Sequence, residues 1–457
     1  MKRTVGEIAE MIPVINDIEA WKDIALTGVC FDTRQIKDGD LFVPFVGESR
    51  DGHAFVVQAH VAGAAAALWQ KDSPNPPIGV PILMVEDTLI ALQQLAQAYL
   101  KQVAPKTIAI TGSNGKTTTK DIMAAIASVR YRVHKTGGNF NNHIGLPYTI
   151  LTMPEDTEVA VLEMGMNHRH EIETLTKIVE PDMAIITNVG EAHLEHLGSR
   201  AEIANAKMEI TQGLAPESLL IYPSDEPLLT PLVTKEYRTA TFGMTGDLRP
   251  ETMQTEMEGT TFTTNIAPET EIFVPIVGEH NVFNTMAAML AARELEITPI
   301  EVKEALANME RSNSRLEWLV GAKGSDILND AYNSSPTALT AVLKTFMNLE
   351  APGKKKFVVV ADMLELGDDA DKFHAEAGST ITKGSVDAVF AYGTHIEAFT
   401  KAAAKNIGAE NVYYFREKAD LQAALLDQVT GEEYIMVKGS YGMGLKDVVS
   451  ELVNPGI

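Results

Sequence analysis

Apolar residues recur along this chain in two rhythms, and the alternation between the rhythms marks out its organisation. Short aliphatic or β-branched runs at Thr107–Thr111, Val159–Leu162, Met183–Thr187 and Leu219–Tyr222 read as buried strands. Helical spacing fills the gaps over Lys120–Ser128, Glu171–Val179 and Arg200–Leu214. This alternation predicts a mostly parallel sheet covered on both faces. From Thr239 to Val277 the pattern changes to alternating, Thr-rich runs such as Thr260–Ile266, which predict an antiparallel extension, followed by helices over Val282–Leu295 and Pro299–Met309. The last third returns to the first theme. Its strands are expected at Ser325–Leu328, Phe357–Val360, Ala388–Tyr392, Val412–Phe415 and Tyr434–Val437, and its helices at Pro336–Phe346, Asp371–Thr382, Ile396–Lys405 and Lys418–Val429.

The first hundred residues follow neither rhythm for long. Helical patterns at Val5–Met11 and Leu89–Leu100, the latter with Leu92, Leu95, Ala96 and Tyr99 on one face, enclose short strands punctuated by Gly28, Gly39, Gly47 and Gly52. The proline-rich Lys71–Pro81 reads as an exposed connection, Lys101–Lys106 as a linker, and a second boundary falls near Arg311–Arg315. The fold class expected is α/β with three domains. These are a small α+β domain over 1–100, a central P-loop-type, mostly parallel α/β domain over 101–312, and a Rossmann-like α/β domain over 313–457.

Composition narrows the function classes. A chain of 457 residues has room for about two to four domains, each able to bury a core. A formal net charge of -24 would repel a polyanion, so nucleic acid is not an expected partner. Cys30 is the one cysteine, which excludes an intramolecular disulfide and a cysteine-based zinc site. Met1–Asn16 carries Glu7 and Glu10 and lacks the apolar core of a secretory signal. No run approaches the ~20 apolar residues that span a bilayer. A cytoplasmic location is expected.

The candidate chemistry centres on Gly112-Ser113-Asn114-Gly115-Lys116-Thr117-Thr118, where a buried strand breaks at a glycine turn before a helix. Unpaired helix N–H groups and the helix dipole favour an anion there, Lys116 adds a point charge for outer phosphates, and the Thr117 hydroxyl suits Mg²⁺. Ile110 stands where a strict G-x-x-x-x-G-K-[ST] pattern has its first glycine, and Gly112 supplies the turn instead. Glu163 ends a strand at the ligand-binding edge of a parallel sheet, where it can hold Mg²⁺ or simply be solvated. His193 follows the next strand. It is a candidate second metal ligand, although Mg²⁺ favours oxygen and a lone histidine is more often structural. Thr136–Pro147, with Asn139, Asn141 and Asn142, offers many amide donors, for a phosphate, a peptide backbone or no ligand at all. Asp32-Thr33-Arg34 reads equally as a phosphate site or a turn. Lys207 by itself is an ordinary surface lysine.

Taken together these motifs resemble the ATP-dependent Mur ligases of peptidoglycan synthesis. The resemblance adds Asn281-x-x-Asn284, Asp330-x-Tyr332-Asn333-x-x-Pro336, Asp362-Met363-x-Glu365-Leu366-Gly367 and Lys438-Gly439-Ser440, in order along essentially the whole chain. Within the family, Phe31–Arg34 with Asp51-Gly52-His53, Gly190–His193 and Asn329–Asn333 are similar to the members that join D-alanyl-D-alanine to UDP-N-acetylmuramoyl-tripeptide. His170 and Asn205 depart from the usual pattern without touching the expected chemistry. The resemblance implies that the first domain binds the UDP-muramoyl-peptide, with Thr33 and Arg34 near its nucleotide end, and that the central domain binds ATP. The last domain would complete the ATP site with Arg315 and Asp330 and receive the dipeptide near Asn333. It further implies Asn281 and Asn284 at the adenine, Asn141 and Asn142 at the substrate, and two Mg²⁺ ions held by Thr117, Glu163, His193 and a Lys207 carbamylated by CO₂. A monomer is expected. The rival readings are a sister ligase that adds the third residue, a folylpolyglutamate synthase, or a P-loop switch that hydrolyses nucleotide without ligation. An Asp-Asn-Pro-Arg motif for the first of these and an Asn-Lys-x-Asp guanine signal for a GTPase switch are both absent from the sequence.

Overall fold

The structure, a computed structural model, describes residues 1–47, 50–309 and 316–454. Its central sheet has six strands, all parallel, in the spatial order Arg238–Phe242, Leu219–Pro223, Met183–Ile186, Lys106–Thr111, Val159–Glu163, Val133–Lys135. The chain leaves Lys106–Thr111 toward one edge and returns to build the other, so a crevice opens beyond the carboxyl end of that strand. Its neighbour Val159–Glu163 is buried at every position, as a continuous apolar run covered on both faces requires.

Three expectations change here. The segment after Thr239 does not begin antiparallel: Arg238–Phe242 pairs in parallel with Leu219–Pro223, because Ala240 and Phe242 join the core against Met286 and Leu290. The antiparallel extension starts only at Pro250, as a three-stranded sheet of Pro250–Thr255, Thr260–Thr264 and Ala267–Val274. The helix expected over Arg200–Leu214 stops at Met208 and tightens into a 3₁₀ turn, Glu209–Gly213. At that turn the Glu209 carboxylate accepts the His170 N–H (2.9 Å), at the start of helix Glu171–Val179.

The third change concerns the first boundary. The N-terminal unit has a four-stranded parallel sheet, Gly28–Cys30, Asp40–Phe42, Ala66–Gln70 and Ile82–Val85, with a small antiparallel pair at Arg3–Thr4 and Ala25–Leu26. Its last helix runs over Thr88–Val103, started by Asp87 accepting from the Ile90 N–H (2.8 Å), and the next strand begins at Lys106. The linker is therefore Ala104 and Pro105 alone. Leu92, Leu95 and Tyr99 share one core with Leu146, Ile150 and Leu151 of the central unit. Tyr99 also donates to the Met153 carbonyl at 2.7 Å.

The C-terminal sheet orders Glu317–Val320, Asp326–Asp330, Glu433–Lys438, Lys355–Ala361, Ala388–Tyr392 and Val412–Phe415, with only the first strand antiparallel. The boundary read near Arg311–Arg315 lies outside the described residues.

Candidate functional site

Strand Lys106–Thr111 delivers its carboxyl end to the crevice, and the next four residues turn into helix Lys116–Ala127. Gly112 has φ +150°, and a Cβ there would stand 1.8 Å from Thr187 Oγ1. That hydroxyl is already committed, donating to the Asn114 carbonyl at 2.5 Å. Asn188 pins the loop as well, donating to the same carbonyl (2.9 Å) and accepting the Asn114 N–H (3.0 Å). Gly115, at φ +80°, precedes the helix without a capping side chain, and a Cβ on it would meet Asn284 Oδ1 at 2.6 Å. The helix start is thus left with donors for an external acceptor. Lys116 folds back over the loop, its Nζ donating to the Gly112 carbonyl at 2.8 Å.

The loop forms one wall of a cavity of ≈ 390 Å³, within the size range of small-molecule sites. The cavity gathers Ser113, Asn114, Gly115, Lys116, Thr117 and Thr118 from the P-loop, Asn281 and Asn284 from helix Glu279–Glu294, and Asp330 and Asn333 from the C-terminal unit. Asn284 donates to Asn281 Oδ1 (3.1 Å), which links the two helical amides beside the loop. Asp330 pairs with Lys438, whose Nζ also donates to the Asn333 carbonyl at 3.0 Å. The side-chain Nδ2 of Asn114 is buried without a hydrogen-bond partner among the described residues, a donor waiting for an acceptor. These features suit a nucleotide: an uncapped helix end, a cation, an orphan amide and a half-apolar chamber.

Thr117 donates to Glu163 Oε2 at 2.9 Å, and Asn141 Nδ2 donates to Glu163 Oε1 at 2.8 Å. Thr117 and Glu163 together present hard oxygen atoms next to the phosphate loop, the donor set Mg²⁺ takes when phosphates and water complete its shell. Among the described residues no group of three or more His, Cys, Asp or Glu side chains forms a self-sufficient metal cage. His193 has φ +63° and hydrogen-bonds through Nδ1 to Glu365 Oε2 of the C-terminal unit at 2.6 Å. Burial pushes its pKa down, with Glu365 opposing and the charges of Lys116 and Lys207 assisting.

Lys207 is not a surface lysine. It is 1% exposed and makes no ion pair or side-chain hydrogen bond among the described residues. Burial, aided by Lys116 and opposed by Glu209, holds its pKa well below the ordinary lysine range. Glu209 in turn is held by Arg169 (3.1 Å).

The remaining described candidates, Asn142, Thr33 and Arg34, stand apart from the cavity. Asn142 caps helix Gly145–Leu151, its Oδ1 accepting the Gly145 N–H at 2.8 Å. Arg34 is gripped by Asp32 (2.7 Å) within its own turn and holds that carboxyl down to about 2, while Thr33 shares the turn. Arg315 lies outside the described residues. His280, Tyr332 and Lys438 also line the cavity, beyond the site residues expected from the sequence: Tyr332 and Lys438 belong to motifs that carry the resemblance, whereas His280 belongs to none of them. Burial lowers the His280 pKa to about 4, with Asp330 opposing and Lys438 assisting.

A P-loop on a parallel sheet, with a second α/β unit closing the chamber, defines a nucleotide-dependent enzyme whose site is assembled from two domains. Comparison with known proteins identifies the group. Residues 110–292 match the Mur ligase middle domain, residues 314–441 the Mur ligase glutamate ligase domain, and residues 25–100 the Mur ligase family catalytic domain. The chain belongs to the Mur ligase family. It is 44% identical over 453 residues, 99% of both chains, to the UDP-N-acetylmuramoyl-tripeptide–D-alanyl-D-alanine ligase of Bacillus subtilis. Its structure is similar to that of MurF from Acinetobacter baumannii, with a TM-score of 0.89, 28% identity and 99% of each chain covered. It is also similar to MurF from Thermotoga maritima in complex with ADP, with a TM-score of 0.81, 28% identity, and 93% and 96% of the two chains covered.

Proposed function

We propose that this chain is an ATP-dependent ligase that joins D-alanyl-D-alanine to the terminal carboxylate of UDP-N-acetylmuramoyl-tripeptide, forming UDP-muramoyl-pentapeptide, ADP and phosphate for peptidoglycan. The observation that carries the reading is the full-length correspondence, 44% identity across 99% of both chains, to a ligase of that name. The P-loop cavity supports it with a chamber suited to the nucleotide.

A carboxylate is a poor electrophile, so the tripeptide carboxylate is activated by attack on the γ-phosphoryl group, giving an acyl phosphate and ADP. The dipeptide amine then attacks the acyl carbon and phosphate leaves. Two anions must meet in the first step, and Lys116 with the loop N–H groups offsets their charge at preorganised positions. In this reading Asn281 and Asn284 hold the adenine, Asp330 and Arg315 complete the nucleotide site, Thr33 and Arg34 face the uridine end, Asn141 and Asn142 orient the muramoyl-peptide, and Asn333 receives the dipeptide. The N-terminal unit ending at Val103, the central unit beginning at Lys106 and the C-terminal unit divide these tasks. Thr117, Glu163, His193 and carbamylated Lys207 would hold two Mg²⁺ ions, which supply further neutralisation of phosphate charge when bound. Carbamylation needs a neutral amine: its nitrogen bonds to the carbon of CO₂, a proton leaves, and the cationic position becomes anionic. The buried, depressed Lys207 meets that requirement. The protein acts as a cytoplasmic monomer. No helix among the described residues is long and apolar enough to cross a membrane.

Incubation with ATP, Mg²⁺, UDP-muramoyl-tripeptide and D-alanyl-D-alanine should yield pentapeptide with one ADP and one phosphate per bond, read by mass analysis. AMP and pyrophosphate formed in step with product would replace the acyl phosphate by an adenylate. Lys207→Ala should be nearly inactive and partly restored by short carboxylic acids. Rescue by amines but not acids would show that a cationic lysine is the working species.

A further inference from the structure

Two non-glycine residues in left-handed backbone conformations meet across the junction of the central and C-terminal units. His193 has φ +63° and Glu365 has φ +62°, although they are 172 positions apart in sequence. The contact has two parts. Glu365 Oε2 receives the His193 Nδ1 hydrogen bond at 2.6 Å, and the Glu365 carbonyl accepts the Glu195 N–H at 3.0 Å. The loop that presents Glu365 is itself tied down. Its Asp362 carboxylate accepts the Thr394 (2.8 Å) and Ile396 (2.7 Å) N–H groups, the Met363 N–H is received by the buried His374 ring at 2.9 Å, and Ser440 Oγ accepts the Leu364 N–H at 3.0 Å. Left-handed backbone on a histidine and a glutamate persists only where surrounding structure over-determines it. Here three tethers in the C-terminal unit hold one partner, and the strand end Met183–Ile186 leads to the other.

We propose that Glu365 is a positioning residue for His193: docking of the C-terminal unit brings its carboxylate to Nδ1, which keeps the proton there and leaves Nε2 as the free acceptor on the nucleotide side. A carboxylate on one imidazole nitrogen orients the ring and raises the basicity of the other, as in the outer shell of metal-bound histidines. The His193 site is then complete only when the C-terminal unit is seated, so the ring is set for chemistry after closure and not before. This rests on the ligase reading above, in which His193 serves the nucleotide site.

The test uses the full-length protein with histidine ¹⁵N-labelled, in the wild type, Glu365→Ala and Glu365→Gln, each with ADP. Nitrogen shifts of His193, assigned by its loss in His193→Gln, report the tautomer, and calorimetry reports ADP affinity. The wild type should show His193 protonated at Nδ1, and Glu365→Ala should lose that preference while still binding ADP. Its kcat should fall roughly 10- to 100-fold, the usual cost of removing an outer-shell partner, with less change in KM for ATP. Glu365→Gln keeps an acceptor oxygen and should lie between the two. An unchanged His193 tautomer in Glu365→Ala overturns the proposal, whether or not kcat falls, because a loss of rate alone would mark a merely structural contact. Failure of the wild type to bind ADP would instead overturn the nucleotide reading beneath it.

Discussion

At the scale of single residues, the phosphate loop depends on atoms that are missing as much as on those present. Gly112 has no room for a side chain, since a Cβ would collide with the Thr187 hydroxyl that holds the Asn114 carbonyl. Gly112→Ala should therefore displace the loop, lowering ADP affinity in calorimetry and stability by about 1–3 kcal/mol in urea unfolding, the usual cost of overpacking. Unchanged affinity would mean that the loop conformation is not what binds the nucleotide. His280 makes a prediction with a definite sign. Its pKa falls from 6.5 to about 4 on folding, so between those values the unfolded chain binds more protons than the folded one. Stability from this group is complete above pH 6.5 and declines as pH drops toward 4. Urea midpoints measured across that window should fall more steeply for the wild type than for His280→Gln, and parallel curves would place the titration elsewhere.

At the scale of elements, helix Thr88–Val103 joins two units instead of ending one. Its apolar stripe was legible as Leu92, Leu95, Ala96 and Tyr99, but periodicity says only that a face is buried, not what covers it. Part of the cover is helix Gly145–Leu151 of the central unit, in one core with Leu68 and Leu83 of the N-terminal sheet, and the Tyr99 hydroxyl finds its acceptor at Met153. Tyr99→Phe leaves that buried carbonyl without its donor and should cost about 1–3 kcal/mol. Because the core is continuous, the loss should appear in a single transition shared by the N-terminal and central units. A separate early transition of the first hundred residues would contradict the shared core. The edge strand Arg238–Phe242 teaches the same lesson in reverse. Its Thr-rich pattern matched the antiparallel strands after it, and only its place beside Leu219–Pro223 made it parallel.

At the scale of the whole molecule, the nucleotide chamber exists because the C-terminal unit sits against the central one. Ser335 Oγ donates to Asn114 Oδ1 at 3.2 Å, Thr337 Oγ1 to Glu191 at 2.5 Å, and Trp318 Nε1 to the Met257 carbonyl at 2.8 Å. Trp318→Phe removes the last of these bonds while keeping an aromatic ring against Tyr434. It should enlarge the ligand-free radius of gyration in small-angle scattering, and ADP should reverse the change. An identical scattering curve would show that this contact does not hold the two units together. ADP at about 100 times its Kd should stabilise the wild type by about 2.7 kcal/mol, read as a shift in the urea transition.

Local chemistry reached a long way on its own. The strand–glycine–helix order at Thr107–Thr119, the α/β alternation of both larger units and the lack of a membrane-spanning run all follow from residue type and spacing, because each depends on neighbours within a few turns of chain. Lys207 shows where that reach ends. Its sequence context suits a solvated helical lysine, yet folding buries it near Lys116 and Glu209 and strips its charge of solvent. The Glu365–His193 contact is likewise a product of two units brought together, and the Asp330–Lys438 pair of two strands, distant in sequence, set side by side in one parallel sheet. Desolvation and long-range pairing depend on what packs from elsewhere in the chain, and so tertiary structure alone decided them.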